Sequence, residues 1–203
     1  KKAIESDSRF PEAYFQVGSM FAYLKRFKKA IDPLKKAINL KPDFSQAYYE
    51  LGNAYSYLNQ YQKAIEPLEQ VIRINNLHAD AYLALGLAHS KLKQYDPTII
   101  HLQKALDLNP KLTEAYYPLG LSLMKADRFE DASVLLNQTS TNNPDYPKVQ
   151  NQLGMAFLTL KKYTKAINFF KKAIQSDPSF TTPYFNLGPL YTSLGNYSQA
   201  IRY

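Results

Sequence analysis

A glycine recurs every 34 residues along most of this 203-residue chain, at Gly18, Gly52, Gly86, Gly120, Gly154 and Gly188. No insertion or deletion breaks the register between Pro11 and Tyr203. A fixed period of that length means one small unit copied in tandem, each copy packing only on its neighbours. Length alone would suggest one or two domains. The repeat replaces that estimate with a single array whose expected business is binding.

Each unit carries two helical patterns. In the unit that opens at Pro11, Tyr14, Val17, Gly18, Phe21 and Leu24 fall at i, i+3, i+4, i+7 and i+10, one face of an α-helix. Phe27, Ala30, Ile31, Leu34, Ala37 and Ile38 mark a second helix. The turn between them is Leu24-Lys25-Arg26, and Pro42 ends the second helix. The columns persist in later copies. Tyr14 becomes Tyr48, Tyr82, Tyr116, Gln150 and Tyr184; Val17 becomes leucine throughout; Phe27 stays aromatic; Ala30 reads Ala64, Thr98, Ala132, Ala166 and Ala200. Size matching explains the columns. Glycine in a helix costs about 1 kcal/mol against alanine, tolerable where a second backbone comes close. Gly18 is expected to face the small Ala30, while Tyr14, Leu24 and Leu34 fill the gaps between pairs.

These residues resemble the tetratricopeptide-repeat pattern, here Tyr48, Leu51-Gly52, Tyr55, Ala64 and Leu68, with Ala37 and Pro42 in the neighbouring copy. The resemblance covers essentially the whole chain. It implies an all-α solenoid of antiparallel helix pairs wound into a right-handed superhelix, first helices lining a concave groove and second helices outside. The expected organisation is a partial repeat at 1–10, full repeats at 11–44, 45–78, 79–112, 113–146 and 147–180, and a partial repeat at 181–203. Some family members clamp a C-terminal carboxylate with Lys, Asn and Arg on the groove face. The matching columns here hold almost no base beyond Lys148 and the flanking Lys91 and Lys125, so that ligand is not implied.

The fourth unit departs from the pattern. Ser133, Thr139, Ser140 and Asn142 stand where other copies are mainly apolar, and Gln150 replaces a tyrosine. That seam reads either as a hinge or partner contact, or as one weak unit that an array tolerates. Hydrogen exchange is expected to be fastest there, between Asp131 and Gln152. Pro33 and Pro67 share a column inside second helices, and Pro189 lies mid-helix; each is expected to bend its helix.

The remaining composition excludes more than it assigns. There is no cysteine, hence no disulfide, thiolate metal site or cysteine nucleophile. No apolar run approaches a membrane span. No phosphate loop, nucleophile elbow or paired-carboxylate constellation occurs, so no enzyme activity and no cofactor is expected. Net charge is +8, with lysine pairs such as Lys28-Lys29, Lys35-Lys36 and Lys171-Lys172 in second helices. They read as a solvated outer face or as a patch for phosphates or an acidic partner. Nucleic acid is not expected, because the patches avoid the groove face. His89 and His101 could pair on a metal, but with no third ligand nearby a packed or solvated histidine fits better. Asn137-Gln138-Thr139 and Asn196-Tyr197-Ser198 match the N-glycosylation acceptor pattern, relevant only to an exported protein.

The leading functional expectation is a protein-interaction scaffold that holds a peptide or partner protein in its groove. The residues expected to line it are Phe15, Ser19, Tyr23, Tyr49, Asn53, Leu83, Leu87, Tyr117, Leu121, Asn151, Met155 and Phe185. Two alternatives stay open. The array could be the non-catalytic part of a larger enzyme. Both ends cut through a second helix and expose Ala3, Ile4, Ala200 and Ile201 without a polar cap, which reads as a piece cut from a longer array or, more sharply, as head-to-tail stacking on copies of itself into a helical fibre.

Overall fold

The computed structural model describes residues 10–137 and 146–203. Among them are twelve α-helices, one short 3₁₀ turn at Thr113–Ala115, and no strand. In chain order they are α1 (Pro11–Tyr23), α2 (Phe27–Leu40), α3 (Ser45–Tyr57), α4 (Tyr61–Ile74), α5 (Ala79–Lys91) and α6 (Tyr95–Leu108). The series continues with α7 (Tyr116–Lys125), α8 (Phe129–Asn137), α9 (Tyr146–Thr159), α10 (Tyr163–Ser176), α11 (Thr182–Ser193) and α12 (Tyr197–Arg202). The chain packs as two compact units, one ending at Ala115 and one starting at Tyr116.

In the first unit α1, α3 and α5 each pair with the helix that follows, and α2 and α4 each also touch the next pair. The odd-numbered helices lie side by side, α1 on α3 and α3 on α5. In the second unit α7–α8, α9–α10 and α11–α12 pair in the same way, and α7 packs on α9. The three-residue connections leave room only for antiparallel neighbours.

The contact that holds each pair differs from the expected one. Gly18 makes room for Leu34 rather than chiefly for Ala30. A Cβ at Gly18 would lie 2.6 Å from Leu34 Cγ, against 3.4 Å from the Ala30 carbonyl oxygen. Gly52 faces Leu68 and Gly86 faces Leu102 in the same way, and Gly154 faces the larger Phe170. All four knobs are fully buried. A leucine in van der Waals contact with a helix backbone needs a partner without a side chain, which explains the glycine.

One column was not legible as special. Lys25, Asn59, Lys93, Asp127, Lys161 and Gly195, one per pair, all have φ between 55° and 72°. Each sits just past a first helix, where a left-handed residue lets the chain reverse. In the first turn Lys25 N–H donates to Ala22 at 2.8 Å and Arg26 N–H donates to Phe21 at 2.8 Å. The pattern recurs down to Asn196 N–H on Tyr191 at 2.9 Å. This double bond satisfies carbonyls that a helix C-terminus would leave unpaired. Pro33 and Pro67 lie inside α2 and α4, and neither ends its helix.

Candidate functional site

The odd-numbered helices of the first unit present most of the expected groove residues. Phe15, half-buried on α1, packs its ring on Phe44 with centroids 4.8 Å apart. Ser19 and Tyr23 on α1 and Asn53 on α3 line a cleft of ≈ 740 Å³. Its floor includes Glu50, whose carboxyl burial pushes up, and its rim carries Phe27 and Tyr57, rings stacked at 4.4 Å. Tyr23 is 84% exposed.

A second cleft of ≈ 620 Å³ lies between α3 and α5 and is closed by the segment 111–114. Four expected residues meet there: Tyr49 and Asn53 from α3, Leu83 and Leu87 from α5. Burial pushes the Tyr49 phenol above its usual range, and its ring tilts onto His78 at 5.0 Å. Charge sits around this apolar centre as Asp80, Lys91, Lys111 and Glu114. The hydroxyls of Ser19 and Ser56, one beside each cleft, are buried without a hydrogen-bond partner. Tyr57 is the equivalent of Tyr23 one repeat on, so the column reading reaches it. Sequence reasoning missed the 111–114 segment, because it is a turn between pairs.

The second unit uses the same columns differently. Tyr117 packs on Val149 and Leu153, and Met155 packs on the cluster of Phe157, Phe170 and Leu187. Leu121 is half-buried. Asn151 is buried, and its Oδ1 accepts a 3.0 Å hydrogen bond from Asn186 Nδ2. Phe185 alone of this set stands clear of the protein, 76% exposed.

His89 and His101 come together, but as packed rings. They stack at 5.4 Å with planes 13° apart, and His89 Nδ1 lies 2.6 Å from Gln94 Oε1. Burial, and secondarily the neighbouring His89, lowers the His101 pKa to about 4. Its Nδ1 is buried without a partner. Among the described residues no group of three His, Asp or Glu could hold a metal ion. Asn196 is exposed and caps α12, its Oδ1 accepting from Gln199 N–H at 3.3 Å. The other acceptor pattern, at Asn137, runs into Gln138 and Thr139, outside the described residues. So does most of the fourth-unit seam. No helix of the described residues is long and apolar enough to cross a membrane.

Residues 2–186 match the family described as the tetratricopeptide repeat protein 21 C-terminal ARM domain. No curated protein matches the chain. Many solved structures are similar. YrrB, described as a TPR protein with an unusual peptide-binding site, is 24% identical with a TM-score of 0.84, over 91% of this chain and 95% of that one. MamA is 26% identical with a TM-score of 0.75, over 83% and 92%. The pilF protein of Pseudomonas aeruginosa is 18% identical with a TM-score of 0.67, over 95% and 87%. Paired helices in a 34-residue register, knobbed onto glycine, are the architecture of tetratricopeptide repeats, and the chain belongs to the family of the tetratricopeptide repeat protein 21 C-terminal ARM domain.

Proposed function

We propose that this chain is a protein-interaction scaffold, built from repeats at 11–44, 45–78, 79–112, 113–146 and 147–180, that takes a peptide or partner segment against its first helices. The observation that carries the reading is the cleft between α3 and α5. Tyr49, Asn53, Leu83 and Leu87 meet there around an apolar centre with charges of both signs at its edge. A concave, largely apolar surface with a few convergent polar groups is the usual form of a recognition site. The test uses the tightest peptide selected from a displayed random 12-residue library. Leu87→Asp and Tyr49→Ala should each weaken it by about tenfold or more, the scale of a buried anchor, with helicity by circular dichroism unchanged. Unchanged binding in both variants would reject the groove.

A further inference from the structure

The second unit carries a charged cleft on its second helices, away from the groove residues. It has ≈ 750 Å³ and is lined by Ser133 and Val134 of α8, Phe157 of α9, and one face of α10. On α10, Lys165, Asn168, Phe169, Lys172 and Gln175 fall at i, i+3, i+4, i+7 and i+10, so helical geometry gathers them on one stripe. Lys171 joins them at the cleft wall.

Three features separate this face from an ordinary solvated one. First, α10 has no Asp or Glu at all, so its lysines have no intrahelical carboxylate to pair with. The ion pairs of the described residues serve other bases, Lys162 with Glu130 at 3.5 Å among them. Second, the three ammonium groups are held over rings rather than left to wander. Lys165 Nζ lies 5.3 Å from the Phe157 ring centre, Lys172 Nζ 5.1 Å from Phe169, and Lys171 Nζ 5.7 Å from Tyr191. A ring face attracts a cation without neutralising it, so the positive charge stays available while the side chain is steadied. Third, the cleft has an apolar wall: Val134 is 64% exposed.

We propose that this cleft docks an acidic linear peptide segment, its carboxylates on Lys165, Lys171 and Lys172 and an apolar side chain against Val134. Charge complementarity selects the occupant, since three cations with no ion-pair partner among the described residues favour an anionic chain. The rings argue against single-stranded nucleic acid. Phe157 and Phe169 stack on each other at 5.3 Å, and each is covered by a lysine, leaving no free face for a base. The site is independent of the groove, and either can fail without the other.

The probe is a fluorescein-labelled dodecapeptide of Asp and Glu with one central leucine, followed by anisotropy. The wild-type chain should bind it, more weakly as salt rises from low to physiological strength. Lys165→Gln, Lys171→Gln and Lys172→Gln combined should weaken binding by about tenfold. A control with the same charge change, Lys63→Gln, Lys93→Gln and Lys104→Gln, should weaken it less than about threefold. Val134→Ser, which alters no charge, should also weaken it measurably. Circular dichroism confirms that each variant stays helical. Equal loss in the two triple variants would reduce the effect to net charge and overturn the proposal. So would no binding by the wild type, or tighter binding of a single-stranded RNA dodecamer than of the peptide.

Discussion

His89 and His101 stack ring on ring at 5.4 Å inside the third helix pair, and the Nδ1 of His101 has no partner. Burial first, and the neighbouring His89 second, make a charge on His101 costly. The His101 pKa falls from 6.5 to about 4, so the folded protein refuses a proton that the unfolded chain accepts. Stability is therefore full above pH 6.5 and is lost as pH falls toward 4. Discounted for the ring's partial solvent exposure, the loss from pH 7 to pH 5 is about 1 kcal/mol. Urea midpoints at the two pH values should move further apart in the wild type than in His101→Phe. Equal shifts would show that His101 does not contribute.

The repeated glycine should not tolerate even one methyl group. At Gly86 a Cβ would lie 2.5 Å from Leu102 Cδ2, so Gly86→Ala overpacks the pair and should cost about 1–3 kcal/mol. Thermal unfolding of the variant against the wild type decides the matter.

Lysine in left-handed backbone is strained, and the strain is relieved by glycine. Lys93 has φ 58°, so Lys93→Gly should raise stability by about 0.5–1 kcal/mol despite the entropy that glycine adds to the unfolded chain. Gly195→Ala, at φ 72° with nothing within 4 Å of the added Cβ, should lower it through backbone strain alone. Denaturant midpoints at constant m-value would confirm both.

Gln150 is 2% exposed, and its Oε1 is buried with no hydrogen-bond partner. An apolar side chain of similar size removes an unpaired acceptor, so Gln150→Met should stabilise by about 1 kcal/mol. Chemical denaturation gives the sign directly.

The helices were legible because the spacing of Tyr14, Gly18 and Leu24 fixes a face, and because the register repeats without a slip. What the glycine served was misassigned. Sequence spacing marks Ala30 and Leu34 as both inward, and only the packed pair shows that the leucine fills the gap over Gly18. The left-handed turn was invisible for a different reason. Lys25, Asn59 and Asp127 share a backbone conformation without sharing chemistry. Columns gave the candidate site its members. They could not tell that Asn53 lines two clefts while Asn151, in the Phe15 column three copies further on, is tied to Asn186. That distinction depends on what each neighbour offers.

Each leucine or phenylalanine knob follows its glycine by only sixteen positions, as Leu34 follows Gly18 and Phe170 follows Gly154. The contact that locks a pair therefore closes a short loop, with little chain entropy to overcome. Folding can begin in any pair and spread outward, quickly for a chain of this length. It also means that a fault has a short reach: a pair that fails to close delays its immediate neighbours and leaves distant ones free to form.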